Sequence, residues 1–118
     1  MKISVIVPNW NGIKFVGMCL DSLAQSDFDS YEVIVIDNGS VDGSREMIEE
    51  KYPQVRLIKN RENMGFAVAC NQGIKAATGT YISLLNNDIE VESNWLSKLY
   101  EGMERHPECG MGTTKMMF

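Results

Sequence analysis

At 118 residues the chain has room for one small domain with a single core. Its 44% hydrophobic and 23% charged residues have the balance of an ordinary globular protein. A formal charge of −5 argues against the basic face of a nucleic-acid binder, so no nucleic-acid partner is expected. Any phosphate held here must be met by backbone N–H groups or by a cation.

The elements alternate along the chain. Ile3 to Val7 is a β-branched run that halts at Pro8, which predicts a buried strand. From Gly12 to about Ser26, Val16, Cys19, Leu20 and Leu23 recur at helical spacing. Val33-Ile34-Val35-Ile36 is a second apolar run without alternation, as expected of a strand covered on both faces. Asp42 is placed to cap a helix that runs to about Lys51, before Pro53. Val55 to Ile58 predicts a short third strand nearer an edge.

The second half repeats the rhythm. Asn60 to Met64 is a polar loop, and Phe66, Ala69, Cys70, Gly73, Ile74 and Ala77 then share one helical face, with Gly79 placed to end it. Thr80 to Leu85 predicts the fourth strand. Ser93 is a candidate cap for a last helix, on which Trp95, Leu96, Leu99 and Met103 share a face up to His106-Pro107. The order βαβαβαβα implies a mostly parallel, right-handed, doubly wound α/β sheet. Cys109 to Phe118 has the pattern of a fifth strand, and the apolar Met116-Met117-Phe118 makes self-association into a homo-oligomer an expectation.

Cys19, Cys70 and Cys109 have no metal-ligand spacing and are odd in number, which favours free thiols in a reducing compartment. Ile3 to Val7 is too short for a membrane span or a signal peptide. No Ser-His-Asp or Cys-His set can be assembled, and the single histidine, His106, sits at a predicted helix end.

Two acidic turns carry the chemical signal. Asn86-Asn87-Asp88 follows an apolar strand, at the carboxyl edge where open α/β sheets bind ligands. Asp88 offers hard oxygen there, suited to Mg²⁺ or Mn²⁺ carrying a diphosphate. Asp37-Asn38-Gly39-Ser40-Val41-Asp42 follows another strand on the same edge. Each turn has a plainer reading. Aspartates at strand ends form turns, Asp37 and Asn38 can make an Asx-turn, and capping accounts for Asp42. Pro8-Asn9-Trp10-Asn11-Gly12 is equally a nucleotide-lining loop or a tight strand-to-helix turn. Arg61 could reach a phosphate and Asn71 could face a site, and both also read as solvated surface residues. The turn after the first strand has no Walker or Gly-x-Gly-x-x-Gly pattern, no acidic pair as in receiver domains, and no basic residue as in sugar nucleotidyltransferases.

Taken in order, Val5 to Gly12, Val35 to Ser44, Asn63 to Gly73 and Leu84 to Asp88 resemble the family-2 glycosyltransferases of the GT-A fold, the rhamnosyltransferase-like members above all. That resemblance implies a nucleoside-diphosphate-sugar domain over residues 1–118, forming the N-terminal part of a longer enzyme. It implies that Pro8 and Asn11 border the nucleotide and that Asp37 and Asn38 contact the base of a UDP- or dTDP-sugar. Asn86, Asn87 and Asp88 would stand at the family's DXD position, with Asp88 on Mg²⁺ or Mn²⁺. It further implies inverting transfer to a saccharide or lipid-linked acceptor, in the cytoplasm or at the inner membrane face. Two departures stand out: Asn38 replaces a second acid after strand two, and Asn86-Asn87-Asp88 keeps one carboxylate of two. The family's catalytic base falls beyond these motifs. A non-catalytic nucleotide-binding or assembly module is the alternative.

Overall fold

The computed structural model describes residues 1–106. It runs β1 (Ile3–Asn9), α1 (Val16–Ala24), β2 (Tyr31–Asn38), α2 (Ser44–Lys51), β3 (Arg56–Asn60), α3 (Phe66–Ala76), β4 (Tyr81–Leu84) and α4 (Trp95–Arg105). The strands form one parallel sheet in the order β3-β2-β1-β4. This is the expected α/β architecture, with β3 at an edge. The expected fifth strand, together with Pro107 and Cys109, lies outside the described residues.

Strands without a polar face need cover on both sides. Ile3, Val5, Val7, Val33 and Val35 face a layer built from Val16, Leu20 and Leu23 of α1, Ile48 of α2, and Trp95 and Leu96 of α4. Ile6, Ile34 and Ile36 face the opposite way, onto Ala69 of α3. Each fully buried Val or Ile contributes about 1.5–3 kcal/mol, which is what holds the helices to the sheet. Gly73 lets α3 lie flat, because a Cβ there would stand 2.5 Å from Ile6 Cγ2 and 2.9 Å from Ile36 Cδ1.

β1 continues through Pro8 to Asn9 rather than stopping at the proline. The ladder shows why. Tyr81 N donates to Lys2 O and Leu85 N to Ile6 O, so the even residues of β1 bond toward β4. Pro8 is the next even residue, and β4 ends at Leu84, paired with Ile6. The missing N–H therefore faces the β4 side, where the pairing ends, while the odd residues keep β1 paired with β2 as far as Asn9 and Asp37.

Helix starts also shift from their sequence expectations. α1 begins at Val16 rather than Gly12, after a turn in which Gly12 O accepts from Phe15 N (2.9 Å) and Val16 N (2.8 Å) and Ile13 N donates to Asp42 Oδ2 at 3.0 Å. α2 begins at Ser44 with Gly43 in the cap position, and Asp42 Oδ1 accepts from both Ser44 N (3.0 Å) and Ser44 Oγ (2.6 Å). Asp42 thus serves the helix start from one residue further out while also tying down the loop after β1. The α4 cap position is Asn94, not Ser93. α3 ends at Ala76, short of Gly79, whose N–H donates instead to Ser4 Oγ.

At the amino end of the sheet Glu32 gathers distant segments. Its Oε2 accepts from Ser4 Oγ (2.6 Å), Thr78 N (2.8 Å) and Thr78 Oγ1 (2.7 Å), and its Oε1 accepts from Arg56 (3.0 Å). Arg56 also donates to Ala76 O. Burial pushes the Glu32 carboxyl up, but the Ser4, Thr78 and Arg56 hydrogen bonds outweigh it and bring the pKa from 4.5 to about 2.

Candidate functional site

The sheet order changes direction at β1, with β2 on one side and β4 on the other. The ladder between β1 and β4 ends at Ile6 and Leu84, and a switch in strand order of this kind is where open α/β sheets form a crevice at the strands' carboxyl ends. Pro8, Asn9, Trp10, Asn38, Asn63, Phe66, Asn86, Asn87 and Asp88 line a cavity of ≈ 320 Å³ there. That is within the range of ligand pockets, about 300–1,000 Å³.

Of the residues singled out by sequence, Pro8, Asn38, Asn86, Asn87 and Asp88 line this cavity. Asp37 and Asn11 stand behind it. Asp37 is completely buried, with Oδ1 accepting from Asn9 Nδ2 (3.0 Å) and Oδ2 from Ser40 N (3.0 Å). Asn11 Oδ1 accepts from Val41 N (2.8 Å), joining the first two strand-end loops. Arg61 lies elsewhere, in a polar hollow with Arg45, Glu46, Glu49, Lys59 and Asn60. Asn71 is exposed on α3 and does not line the cavity.

Asn38 is almost fully buried and organises the loop before α3. Its Nδ2 donates to Asn63 Oδ1 (3.1 Å) and Gly65 O (3.2 Å), while its Oδ1 accepts from Asn60 Nδ2 (3.1 Å) and Met64 N (3.0 Å). Asn60 in turn exchanges a reciprocal amide pair with Gln72 of α3. An amide can donate and accept at once, and a carboxylate at position 38 could not make this set. The cavity wall at Asn63 and Phe66 therefore depends on Asn38.

Sequence reasoning missed Asn9, Trp10, Asn63 and Phe66 as lining residues. Trp10 and Phe66 are more than half exposed, large apolar rings left at the cavity. Their signal was available, since both sit in motifs that open a helix after a strand. Asn9 gave none, because its value lies in partners far along the chain.

The floor beneath the acidic turn is neutral. Cys19 is buried, and its Sγ lies 3.8 Å from Asn86 O in donor geometry. Burial pushes the Cys19 thiol up to about 12, with the nearby Asp88 carboxylate adding to the effect. It is a thiol at neutral pH and no nucleophile. Gly12 is equally close from the other side, because a Cβ there would fall on Asn87 Nδ2 and Asn9 Oδ1. Among the described residues no three His, Cys, Asp or Glu side chains cluster to hold a metal ion, and Asp88 is the one carboxylate among those lining the cavity.

A second cavity of ≈ 340 Å³ lies at the amino end of the sheet, between Leu20, Leu23, Tyr31, Val33 and Val55. Its charged residue, Glu32, already has both oxygens bonded. It offers a ligand no free polar group of that residue.

Residues 4–115 match the family profile described as Glycosyl transferase family 2. The chain belongs to that family. Among curated relatives, the uncharacterized glycosyltransferase YibD of Escherichia coli is 40% identical over 93 residues, covering 76% of this chain. Among solved structures, TarS of S. aureus in complex with UDP-GlcNAc superposes with a TM-score of 0.84 at 25% identity over 98% of this chain. The mannosyltransferase PcManGT of Pyrobaculum calidifontis, in complex with GDP-Man and Mn²⁺, gives 0.80 at 25% identity over 86%. The chain spans 27% of YibD, 37% of the TarS chain and 32% of the PcManGT chain. No helix among the described residues is long and apolar enough to cross a membrane.

Proposed function

We propose that residues 1–118 are the donor-binding part of a glycosyltransferase that moves a sugar from a UDP- or dTDP-sugar to a hydroxyl of a saccharide or lipid-linked acceptor. The observation that carries this reading is the cavity at the sheet's switch point, lined by Pro8 and Asn38 together with Asn86, Asn87 and Asp88. TarS and PcManGT, which share the fold, hold UDP-GlcNAc and GDP-Man.

The donor set fits a divalent cation modestly. Asp88 is exposed and faces the cavity beside two amides, so hard oxygen is available but only one full negative charge. Mg²⁺ and Mn²⁺ accept a few protein oxygens and take the rest from phosphate and water, so Asp88 would hold the ion mainly when a diphosphate arrives with it. Such an ion supplies charge neutralisation for a departing nucleoside diphosphate. The chain's own groups do the positioning. Asn38 fixes the loop at Asn63 and Phe66. Asp37 and Asn11 fix the turn at Ser40 and Val41. Trp10 and Phe66 present rings on which a base can stack. Location in the cytoplasm or at the inner membrane face, a role in envelope polysaccharide synthesis and inverting stereochemistry belong to this proposal as family expectations.

Calorimetric titration with UDP, dTDP and GDP, each with Mn²⁺, Mg²⁺ or chelator, tests the reading. One nucleotide should bind with metal, and Asp88→Ala should abolish the metal dependence. The single carboxylate favours one competing reading, a nucleotide-binding module without catalysis. Tight binding unaffected by chelator or by Asp88→Ala would establish that reading instead.

A further inference from the structure

Asn9 has no exposed surface to speak of, yet it joins the turn after β2 to the acidic turn that lines the cavity. Its Nδ2 lies 3.0 Å from Asp37 Oδ1, 3.1 Å from Ser44 Oγ and 3.4 Å from Ser40 Oγ, and its Oδ1 accepts from Asn87 Nδ2 at 2.9 Å. An amide can in principle sit either way round. Here two carboxylates decide. Asp37 offers only acceptor oxygens, so the group facing it must be NH₂. Ser44 Oγ gives its proton to Asp42 Oδ1 at 2.6 Å, so toward Asn9 it too can only accept. Both anchors demand the NH₂ edge of Asn9, which turns its oxygen toward Asn87. Asn87 must then answer with its own NH₂.

We infer that Asn9 is a positioning residue that transmits the fixed polarity of Asp37 and Asp42 across the sheet edge, so that Asn87 presents its acceptor oxygen, and not its NH₂, beside Asp88. This rests on the donor-site reading above for its functional meaning, but the relay itself is a property of the ligand-free protein. It explains an otherwise odd arrangement, in which the buried Asp37 never reaches the cavity yet stands at the head of the motif. It also explains Gly12, since any side chain there would break the Asn9–Asn87 bond. With one carboxylate in the acidic turn, the direction of the adjacent amide sets how much oxygen the turn offers. An inward-facing oxygen on Asn87 would leave NH₂ hydrogens beside Asp88, where a cation or a sugar hydroxyl proton would have to approach.

The relay is read first without ligand, from the side-chain amides of ¹⁵N-labelled protein. One Asn87 amide proton should be protected from exchange, and Asn9→Ala should remove that protection while leaving the Asn38 amide protected. An Asn87 amide that exchanges freely in the wild type, or that Asn9→Ala does not alter, overturns the inference. If Asn9→Ala does not fold, the wild-type exchange and the milder Asn9→Ser decide the same point. The second arm is a double-mutant cycle on nucleotide binding. Asn9→Ala and Asn87→Ala should each weaken it about tenfold, and together still about tenfold, because Asn87 is useful only when oriented. A hundredfold additive loss refutes the coupling. A loss seen only with Mn²⁺ identifies a cation beside Asn87, and a loss seen equally with chelator identifies a donor hydroxyl. If the wild type binds no nucleotide, the donor-site reading fails while the amide exchange still judges the relay.

Discussion

Glu32→Gln is the perturbation whose size can be worked most directly from the structure. The Glu32 side chain is 10% exposed and accepts four hydrogen bonds, from Ser4, Thr78 twice and Arg56. Its folded pKa is about 2 against 4.5 for a free carboxyl. At 1.36 kcal/mol per unit, that difference corresponds to a ceiling of about 3 kcal/mol of folding stability. Arg56 is 49% exposed, so its share is screened by water and about 2 kcal/mol is the working figure. Because the folded pKa is depressed, the stabilisation is complete above the unfolded value near 4.5 and is lost as pH falls from there toward 2. Urea unfolding of the wild type and Glu32→Gln at several pH values should show a gap of about 2 kcal/mol at pH 7, narrowing below pH 4.5. Glu32 lies at the amino end of the sheet, away from the cavity, so nucleotide affinity should not change. A gap that is absent at pH 7, or that stays constant down to pH 2.5, refutes the reasoning.

Other perturbations test separate links. Asp88→Ala removes an exposed carboxylate, so stability should stay within about 0.5 kcal/mol while metal-dependent nucleotide binding is lost; calorimetry and urea unfolding read the two effects. Gly73→Val drives side-chain atoms into Ile6 and Ile36 and should destabilise by about 2–3 kcal/mol in the same unfolding assay. The Tyr52 hydroxyl donates to Asp21 Oδ1 at 2.6 Å with Gly17 O at 3.1 Å, so Tyr52→Phe should cost about 1 kcal/mol. Burial and then Asp21 push that phenol up to about 12, and ultraviolet titration of the variant should lose a group ionising there. Cys19, with its thiol raised to about 12 beneath the acidic turn, should resist iodoacetamide at pH 8 in native protein and react once urea unfolds it; peptide mapping that finds it modified in the native state contradicts the buried placement.

The asparagine at position 38 shows how a departure from a family pattern acquires a physical meaning. Read in sequence, it stands where the family carries a second acid after strand two. In the structure its amide makes two donations and two acceptances within the loop before α3, which only a group with both capacities can do. Asn38→Asp should therefore loosen Asn63 and Phe66 first, and donor selection would follow from that.

Local chemistry made much of the protein legible from sequence alone. The runs Ile3 to Val7 and Val33 to Ile36 are strands because β-branched residues without alternation need cover on both faces, and the helices follow from apolar spacing on one face. Turn residues and strand ends then place Pro8, Asn38 and Asn86 to Asp88 on one sheet edge, since a parallel order leaves little freedom about which end they occupy. What the sequence could not supply is the direction of hydrogen bonds between distant segments. Asn9 meets Asp37, Ser44 and Asn87 across separations of 28, 35 and 78 residues, and Glu32 meets Thr78 across 46. Whether a polar residue lines a cavity, like Asn87, or stands buried behind it, like Asp37, depends on these closures. They exist only once the sheet has brought the strand ends together, and no local periodicity encodes them.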